Sequence, residues 1–186
     1  RILNQEPYEM VISFIISANN QIPRIKTAVE LISTDLGDYA GTWNGKDYFS
    51  FPRPEKLANL EKTYIQENYR VGFRADRLRE TSRRISEKEF DLDCIYELSR
   101  DEGKNLLTTL PGVGPKVSDC ILLFAFDKEQ AFPVDVWVKR VMEYFYLKED
   151  TSPKLIGLSG ARKFGRLAGY AQQYLFYYAR ELGIGK

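Results

Sequence analysis

The sequence predicts an all-α fold. Apolar residues recur at helical spacing through nearly the whole chain, and strands alternating with helices are absent. The one long irregular stretch, Gly37–Pro54, is rich in Gly, aromatics and Pro, and a small strand pair fits there. In order along the chain, Glu6–Ser17 reads as a helix with Pro7 in its first turn. Ile22–Leu36 is a second, with Ile25, Val29 and Ile32 on one face. Pro54–Leu60 reads as a short helix and Phe73–Ile85 as one rich in Arg. Asp91–Ser99 and Asp101–Leu107 read as short helices. Pro115–Phe126, Asp135–Tyr146 and Gly165–Leu182 read as longer ones.

Composition narrows the chemistry before any motif is considered. With 186 residues the chain can bury a sizeable core. The absence of His excludes Ser-His-Asp and Cys-His catalysis and any His-ligated metal. The 2 Cys cannot build a four-thiolate zinc or iron–sulfur site. A catalyst would therefore use Lys, Asp, Glu, Tyr or a single Cys. No apolar run approaches the ~18 residues that span a bilayer. Cys94 and Cys120 sit in unrelated contexts and read as reduced thiols. That predicts an intracellular protein, in cytoplasm or nucleoid if prokaryotic and in the nucleus if eukaryotic. Nothing in the sequence asks for more than a monomer.

The net charge is only +1, so any nucleic-acid partner needs local positive charge. Such segregation exists. The segment Arg70–Arg84 holds six Arg against Asp76 and Glu80, and Thr151–Lys186 holds six Lys or Arg against Glu181. Between them, Glu87–Glu102 holds seven acids against Lys88 and Arg100. Two basic blocks suggest one positive face; solvated helix faces account for the same pattern.

The most specific local string is Leu110-Pro-Gly-Val-Gly-Pro-Lys116, between a short helix and an apolar one. Gly112 and Gly114 permit tight or left-handed backbone, and without side chains they let a phosphate approach. The helix that follows points its free N–H groups and positive dipole end the same way. Helix, glycine turn, helix is thus a clamp that reads backbone rather than base. A plain αα-corner is the competing reading.

Lys116 opens a helix whose remaining residues belong in a core. The positive dipole end and partial desolvation disfavour an ammonium there, and an amine nucleophile must be neutral to attack. A first-turn Lys reaching to solvent or holding a phosphate fits equally. Asp135, between Phe132-Pro-Val and Val136-Trp-Val, is a natural N-cap, and capping keeps a carboxylate ionised and fixed. The helix from Lys116 is ~15–17 Å long at ~1.5 Å per residue. The connector Asp127–Val134 reaches at most ~26–29 Å. It can return the chain to the same end, so that Lys116 and Asp135 flank one cleft.

At these residues the sequence resembles the helix-hairpin-helix DNA glycosylase superfamily, most closely its 8-oxoguanine DNA glycosylase/lyase family. The likeness rests on Leu110–Lys116 followed by Asp135 in Phe-Pro-Val-Asp-Val, and on three further strings. These are Phe14-Ile-Ile-Ser-Ala-Asn-Asn-Gln-Ile-Pro-Arg24, Gly72-Phe-Arg-Ala, and Ala168-Gly-Tyr-Ala-Gln-Gln-Tyr-Leu-Phe176. It covers essentially the whole chain. It implies a two-lobed helical catalytic domain over 1–186 with a central cleft and a helix-hairpin-helix at about 103–126. The implied activity is excision of oxidised guanine from damaged duplex DNA, followed by strand nicking through a Lys Schiff base.

The resemblance also assigns roles. Lys116 would attack C1′ of the damaged nucleotide. Asp135 would stabilise the positive charge on the sugar and orient Lys116. Gln172 and Phe176, at i and i+4, would form the base pocket with Cys120, Phe124 and Pro133. Asn19 would fill the gap left by the flipped nucleotide, Phe73 would wedge between bases, and Arg24 and Arg74 would contact the estranged cytosine. Gly112 and Gly114 would bind a phosphate. The backbone carbonyls of Thr108, Leu110 and Val113 would hold a structural monovalent or divalent cation, and no cofactor would be needed for catalysis. Each residue also has an ordinary reading: Phe176 and Phe73 as packing, Cys120 as a small buried hydrophobe.

Two departures from the family stand out. Its members usually carry an N-terminal β-rich domain, which reads the lesion's N7 proton, before the segment where this chain begins. Many carry His two residues after the catalytic Asp, where this chain has Trp137. Two other functions remain open: a glycosylase of the same superfamily for another damaged base, and a non-catalytic module that binds DNA backbone.

Overall fold

The computed structural model describes residues 1–184. Its helices are α1 Pro7–Ser17, α2 Ile22–Leu36, α3 Pro54–Ala58, α4 Lys62–Asn68, α5 Ala75–Ser86, α6 Arg100–Leu107, α7 Pro115–Ala125, α8 Val136–Met142, α9 Pro153–Phe164 and α10 Ala168–Leu182. Strands β1 Tyr39–Trp43 and β2 Lys46–Phe49 form a single antiparallel pair. Among the described residues no helix is long and apolar enough to cross a membrane.

Most boundaries follow the sequence reading; the differences are the following, together with a 3-10 turn, Gly165–Leu167, in place of the first residues expected in α10. Helices α4 and α9 were not expected. Asp91–Ser99 contains only a 3-10 turn, Asp93–Tyr96. Phe73 lies in another 3-10 turn, Gly72–Arg74, that leads into α5 rather than in the helix itself. The segment expected to be one helix up to Tyr146 leaves α-geometry after Met142 for a π-turn, Glu143–Leu147.

The chain forms two compact units. One comprises Glu6–Ile95 with Thr109–Val113, and the other comprises Arg1–Gln5, Tyr96–Thr108 and Gly114 onward. The unit containing α1–α5 closes over Val11, Ile12, Ile15, Ile16, Ile32, Leu57, Ile65 and Leu78, all fully buried. Glu6 caps α1 by accepting the N–H groups of Tyr8 and Glu9. Tyr8 then shares a buried 2.7 Å hydrogen bond with Ser82, which fastens α1 to α5. In the strand pair, Asn44 and Gly45 both take positive φ (51° and 73°), as a two-residue hairpin turn matched to strand twist requires.

The unit containing α6–α10 is built on Phe132, Val138, Met142, Ile156 and Ala168, all buried. Ser99 and Glu102 form a reciprocal capping box that starts α6. Ser152 and Asp135 cap α9 and α8 through their side chains. Helix α9 approaches the loop before α8 because Gly160 has no side chain: a Cβ there would lie 2.5 Å from the Phe132 ring. That ring is fully enclosed and cannot swing away. Gly160→Ala should therefore lower stability by about 1–3 kcal/mol in urea unfolding. Unchanged stability would show that α9 does not seat on Phe132 as described.

Candidate active site

In the α6–α10 unit, three charged side chains act on one sulfur. Lys116 is the second residue of α7, and Cys120 follows one turn later, 4% exposed. The Cys120 thiol has the Lys116 side chain as a hydrogen-bond partner. Burial pushes this thiol up to about 11. Lys116 pulls in the opposite direction, and the carboxylates of Asp119 and Asp135 add to the rise. Lys116 and Asp135 are thus brought into one electrostatic neighbourhood around a neutral thiol.

Asp135 reaches that position as the N-cap of α8. Its Oδ1 accepts the Val138 N–H at 2.8 Å, and its backbone oxygen accepts the Lys139 N–H at 2.8 Å. Helix α7 begins differently. Its N-cap is Gly114, which has no side chain to offer, and Pro115 at the first position has no N–H to satisfy. A cavity of about 480 Å³ opens beside Lys116, walled by Arg100, Lys104 and Asp119 on one side and by Phe132, Val134 and Leu158 on another.

The residues expected to form a base pocket lie outside that cavity and are grouped differently. Gln172 is buried, and its amide donates to the Pro133 carbonyl at 3.0 Å while accepting from Gln173 at 2.6 Å. Phe176 packs against the Phe132–Val138–Met142 cluster, with the Arg180 guanidinium 5.6 Å from its ring centre. Phe124 faces a separate groove with Leu3, Tyr170 and Tyr174. Trp137, half-buried in the first turn of α8, carries the Arg140 guanidinium 5.2 Å from its ring centre.

The glycine turn of the hairpin closes with the Val113 N–H donating to the Leu110 carbonyl at 3.1 Å. Only one of its two glycines needs an unusual backbone. Gly112 has φ +86°, and a Cβ there would lie 2.8 Å from Arg77 Cδ. Gly114 has φ −93°, and a Cβ there would meet nothing within 4 Å. Packing therefore explains Gly112 but not Gly114. Among the described residues no cluster of three or more His, Cys, Asp or Glu could hold a metal. The carbonyls of Thr108, Leu110 and Val113 are donors of another kind, and that of Leu110 already accepts the turn hydrogen bond.

In the α1–α5 unit, Phe73 is 59% exposed, an unusual position for a large aromatic, and the Arg74 and Arg77 guanidinium carbons lie 4.3 and 5.2 Å from its ring centre. Asn19 is exposed with φ +51°, and Arg24 is exposed in the first turn of α2. Arg74 is tied into the unit itself. Its guanidinium is buried and donates to the backbone carbonyls of Ala18 (2.9 and 2.5 Å), Asn19 (2.8 Å) and Val71 (3.2 Å). Four of its five N–H groups are taken up inside the unit, where Arg74 braces Asn19 and Phe73. The basic block is also thinner than its sequence suggests, because Arg83 and Arg84 pair with Glu80, and Arg83 also pairs with Glu87 and Glu89.

Residues 12–161 match the family model of the HhH-GPD superfamily base excision DNA repair proteins. The chain belongs to this superfamily. Among relatives of the HhH-GPD chain, a probable N-glycosylase/DNA lyase of Methanothermobacter thermautotrophicus is 36% identical over 98% of this chain and 64% of its own length. The N-glycosylase/DNA lyase OGG1 of Arabidopsis thaliana is 34% identical over 95% of this chain and 51% of its own. Among solved structures, the Clostridium acetobutylicum 8-oxoguanine glycosylase/lyase, bound to double-stranded DNA with cytosine opposite 8-oxoguanine, superposes with a TM-score of 0.94. It is 47% identical over 99% of this chain and 63% of its own. The chain thus spans about half to two thirds of the length of these relatives.

The buried, proton-retaining environment of Cys120 in this HhH-GPD chain can be checked directly. Native protein treated with iodoacetamide near about pH 8 should leave Cys120 unmodified, and urea-unfolded protein should be alkylated there. Mass spectrometry reads both states; rapid native labelling of Cys120 would contradict the burial described.

Proposed function

We propose that this chain is the catalytic portion of a bifunctional DNA glycosylase/AP lyase that removes 8-oxoguanine from duplex DNA. The observation that carries the proposal is the convergence of Lys116 and Asp135 on Cys120, each from the start of a helix, in a chain of this superfamily. The likeness to the Clostridium 8-oxoguanine enzyme supports the substrate. The two free cysteines suit the reducing intracellular compartments where DNA resides.

The chemistry follows from these positions. A base inside a duplex hides C1′, so the damaged nucleotide must leave the stack. The exposed Phe73 ring fills the step it opens, and Asn19, held by Arg74 through its carbonyl, takes the vacated space. The Lys116 amine attacks C1′ as the C1′–N9 bond breaks and the oxidised base departs with the bonding pair. The anionic Asp135 carboxylate, fixed by its cap, stabilises the cationic sugar during that step. Loss of an amine proton and opening of the ring give the Schiff base. A proton then leaves C2′, and the 3′ phosphate is expelled, nicking the strand. Gly114, whose missing side chain the protein's own packing does not require, admits a backbone phosphate to the uncapped start of α7. Trp137 contacts a second phosphate through its indole N–H, and the carbonyls of Thr108, Leu110 and Val113 supply hard oxygen donors for a cation at the hairpin.

Borohydride trapping on a duplex with 8-oxoguanine opposite cytosine tests the reading. The wild-type chain should give a covalent adduct. Lys116→Gln should give none while binding duplex within a few fold, and Asp135→Asn should slow base release by roughly 10²–10³-fold. The same wild-type chain failing to trap on this duplex would reject the proposal; trapping only on another damaged base would reassign the substrate. The hairpin has its own test. Gly114→Ala should leave stability within about 0.5 kcal/mol but weaken duplex binding. Gly112→Ala should lower stability by about 1–2 kcal/mol through left-handed backbone strain. Equal stability losses in both would remove the case for a phosphate at Gly114.

A further inference from the structure

One arginine of the α1–α5 unit is anchored at both ends of its side chain, and the chemistry above gives it no part. Arg77 is the third residue of α5 and is half-buried. Its stem packs on the glycine turn of the hairpin: a Cβ at Gly112 would lie 2.8 Å from Arg77 Cδ and 3.5 Å from Arg77 Cβ. Its guanidinium carbon lies 5.2 Å from the centre of the exposed Phe73 ring, which the Arg74 guanidinium carbon approaches to 4.3 Å. Arg77 thus runs from the hairpin turn to that ring.

The acids that could neutralise Arg77 are engaged elsewhere. The two on α5 are Asp76, which pairs with Lys62 at 3.8 Å, and Glu80, which pairs with Arg83 and Arg84 at 3.0 and 2.8 Å. Among the described residues Arg77 makes no ion pair. The charge beside it has its own sign. Burial holds the Arg74 guanidinium below its ordinary value, and Arg77 lowers it further. Two guanidinium groups therefore share one aromatic ring. The ring's electrons offset part of their repulsion, and an anion against Arg77 would offset more. A guanidinium presents its N–H groups as a planar fork that matches phosphate oxygens. Phosphates flank every base step of a duplex, and Phe73 is the ring read here as entering one.

We propose that Arg77 is a phosphate-binding residue whose guanidinium takes a DNA backbone phosphate beside the base step that Phe73 enters. The inference rests on the reading of Phe73 as a wedge in duplex DNA.

The test is the salt dependence of duplex binding by the whole chain, followed by fluorescence anisotropy. The duplex carries a tetrahydrofuran abasic analogue opposite cytosine, which has no glycosidic bond to break. Each phosphate neutralised by a cationic side chain adds about 0.9 to the slope of log affinity against log salt. Arg77→Gln keeps the stem as far as Cδ and removes the charge. It should bind several-fold more weakly, with a slope shallower by about 0.9. Between about 50 and 200 mM salt it should lose about threefold less affinity than wild type does. Arg77→Lys should keep the wild-type slope.

A role confined to packing against Gly112 and Phe73 would weaken binding in Arg77→Gln and leave the slope unchanged, and that result overturns the proposal. So does an Arg77→Lys slope as shallow as that of Arg77→Gln. If Arg77→Gln does not fold, Arg77→Met carries the same comparison with the same two outcomes. The underlying reading fails separately. Should Phe73→Ala bind this duplex as tightly as wild type, the wedge is rejected, while the slope of Arg77→Gln still decides whether Arg77 holds a phosphate.

Discussion

The start of helix α7 is the constraint on which the site depends. A helix leaves its first N–H groups without partners inside itself, and something must accept them. Glu6, Ser99, Asp135 and Ser152 do this for α1, α6, α8 and α9 with their own side chains. At α7 the cap is Gly114, and the chain offers no side-chain acceptor. The same turn of helix carries Lys116. The geometry that leaves amide donors open to a phosphate also places an amine at the positive end of the helix dipole. In the proposed reading, phosphate grip and nucleophile both come from this one helix start, which follows the left-handed turn at Gly112.

Asp135 applies the opposite solution one helix later. Its cap consumes Oδ1 and fixes the carboxylate, and that fixed charge reaches Cys120. A carboxylate anchored in this way needs no reorganisation when positive charge builds beside it. The two helix starts differ: α7 is left open by its glycine cap, and α8 is closed by the Asp135 carboxylate. Cys120 between them is a small apolar spacer whose burial keeps it neutral.

The sequence made these parts legible because they are local. Gly112, Gly114, Lys116 and Asp135 announce themselves by turn and cap chemistry within a few residues. The strand pair was read from the Gly-, aromatic- and Pro-rich stretch Gly37–Pro54, and α2 from Ile25, Val29 and Ile32 on one face. What was missed depends on distant partners. Helix α9 contains Gly157, Ser159 and Gly160, weak helix formers, and owes its existence to packing on Phe132. Helix α4 buries only Ile65, too little for a periodic stripe. The resemblance gave Arg74 a contact with the estranged cytosine, and the sequence offered no sign that its side chain is buried. Its burial depends on the carbonyls of Ala18 and Asn19, more than fifty residues earlier.

Asp119 shows where a usable signal lay unread. It is a lone carboxylate inside an apolar helix, and a pair of cations at i and i+4 occupies the helix before it. Buried ion pairs contribute little net stability compared with apolar side chains of the same size, since desolvating the charges offsets their attraction. The Arg100–Lys104–Asp119 trio is therefore poorly explained as a device for holding α6 to α7, which Leu107 and Ile121 in the core can serve without charge. Its three members line the cavity that Lys116 also lines.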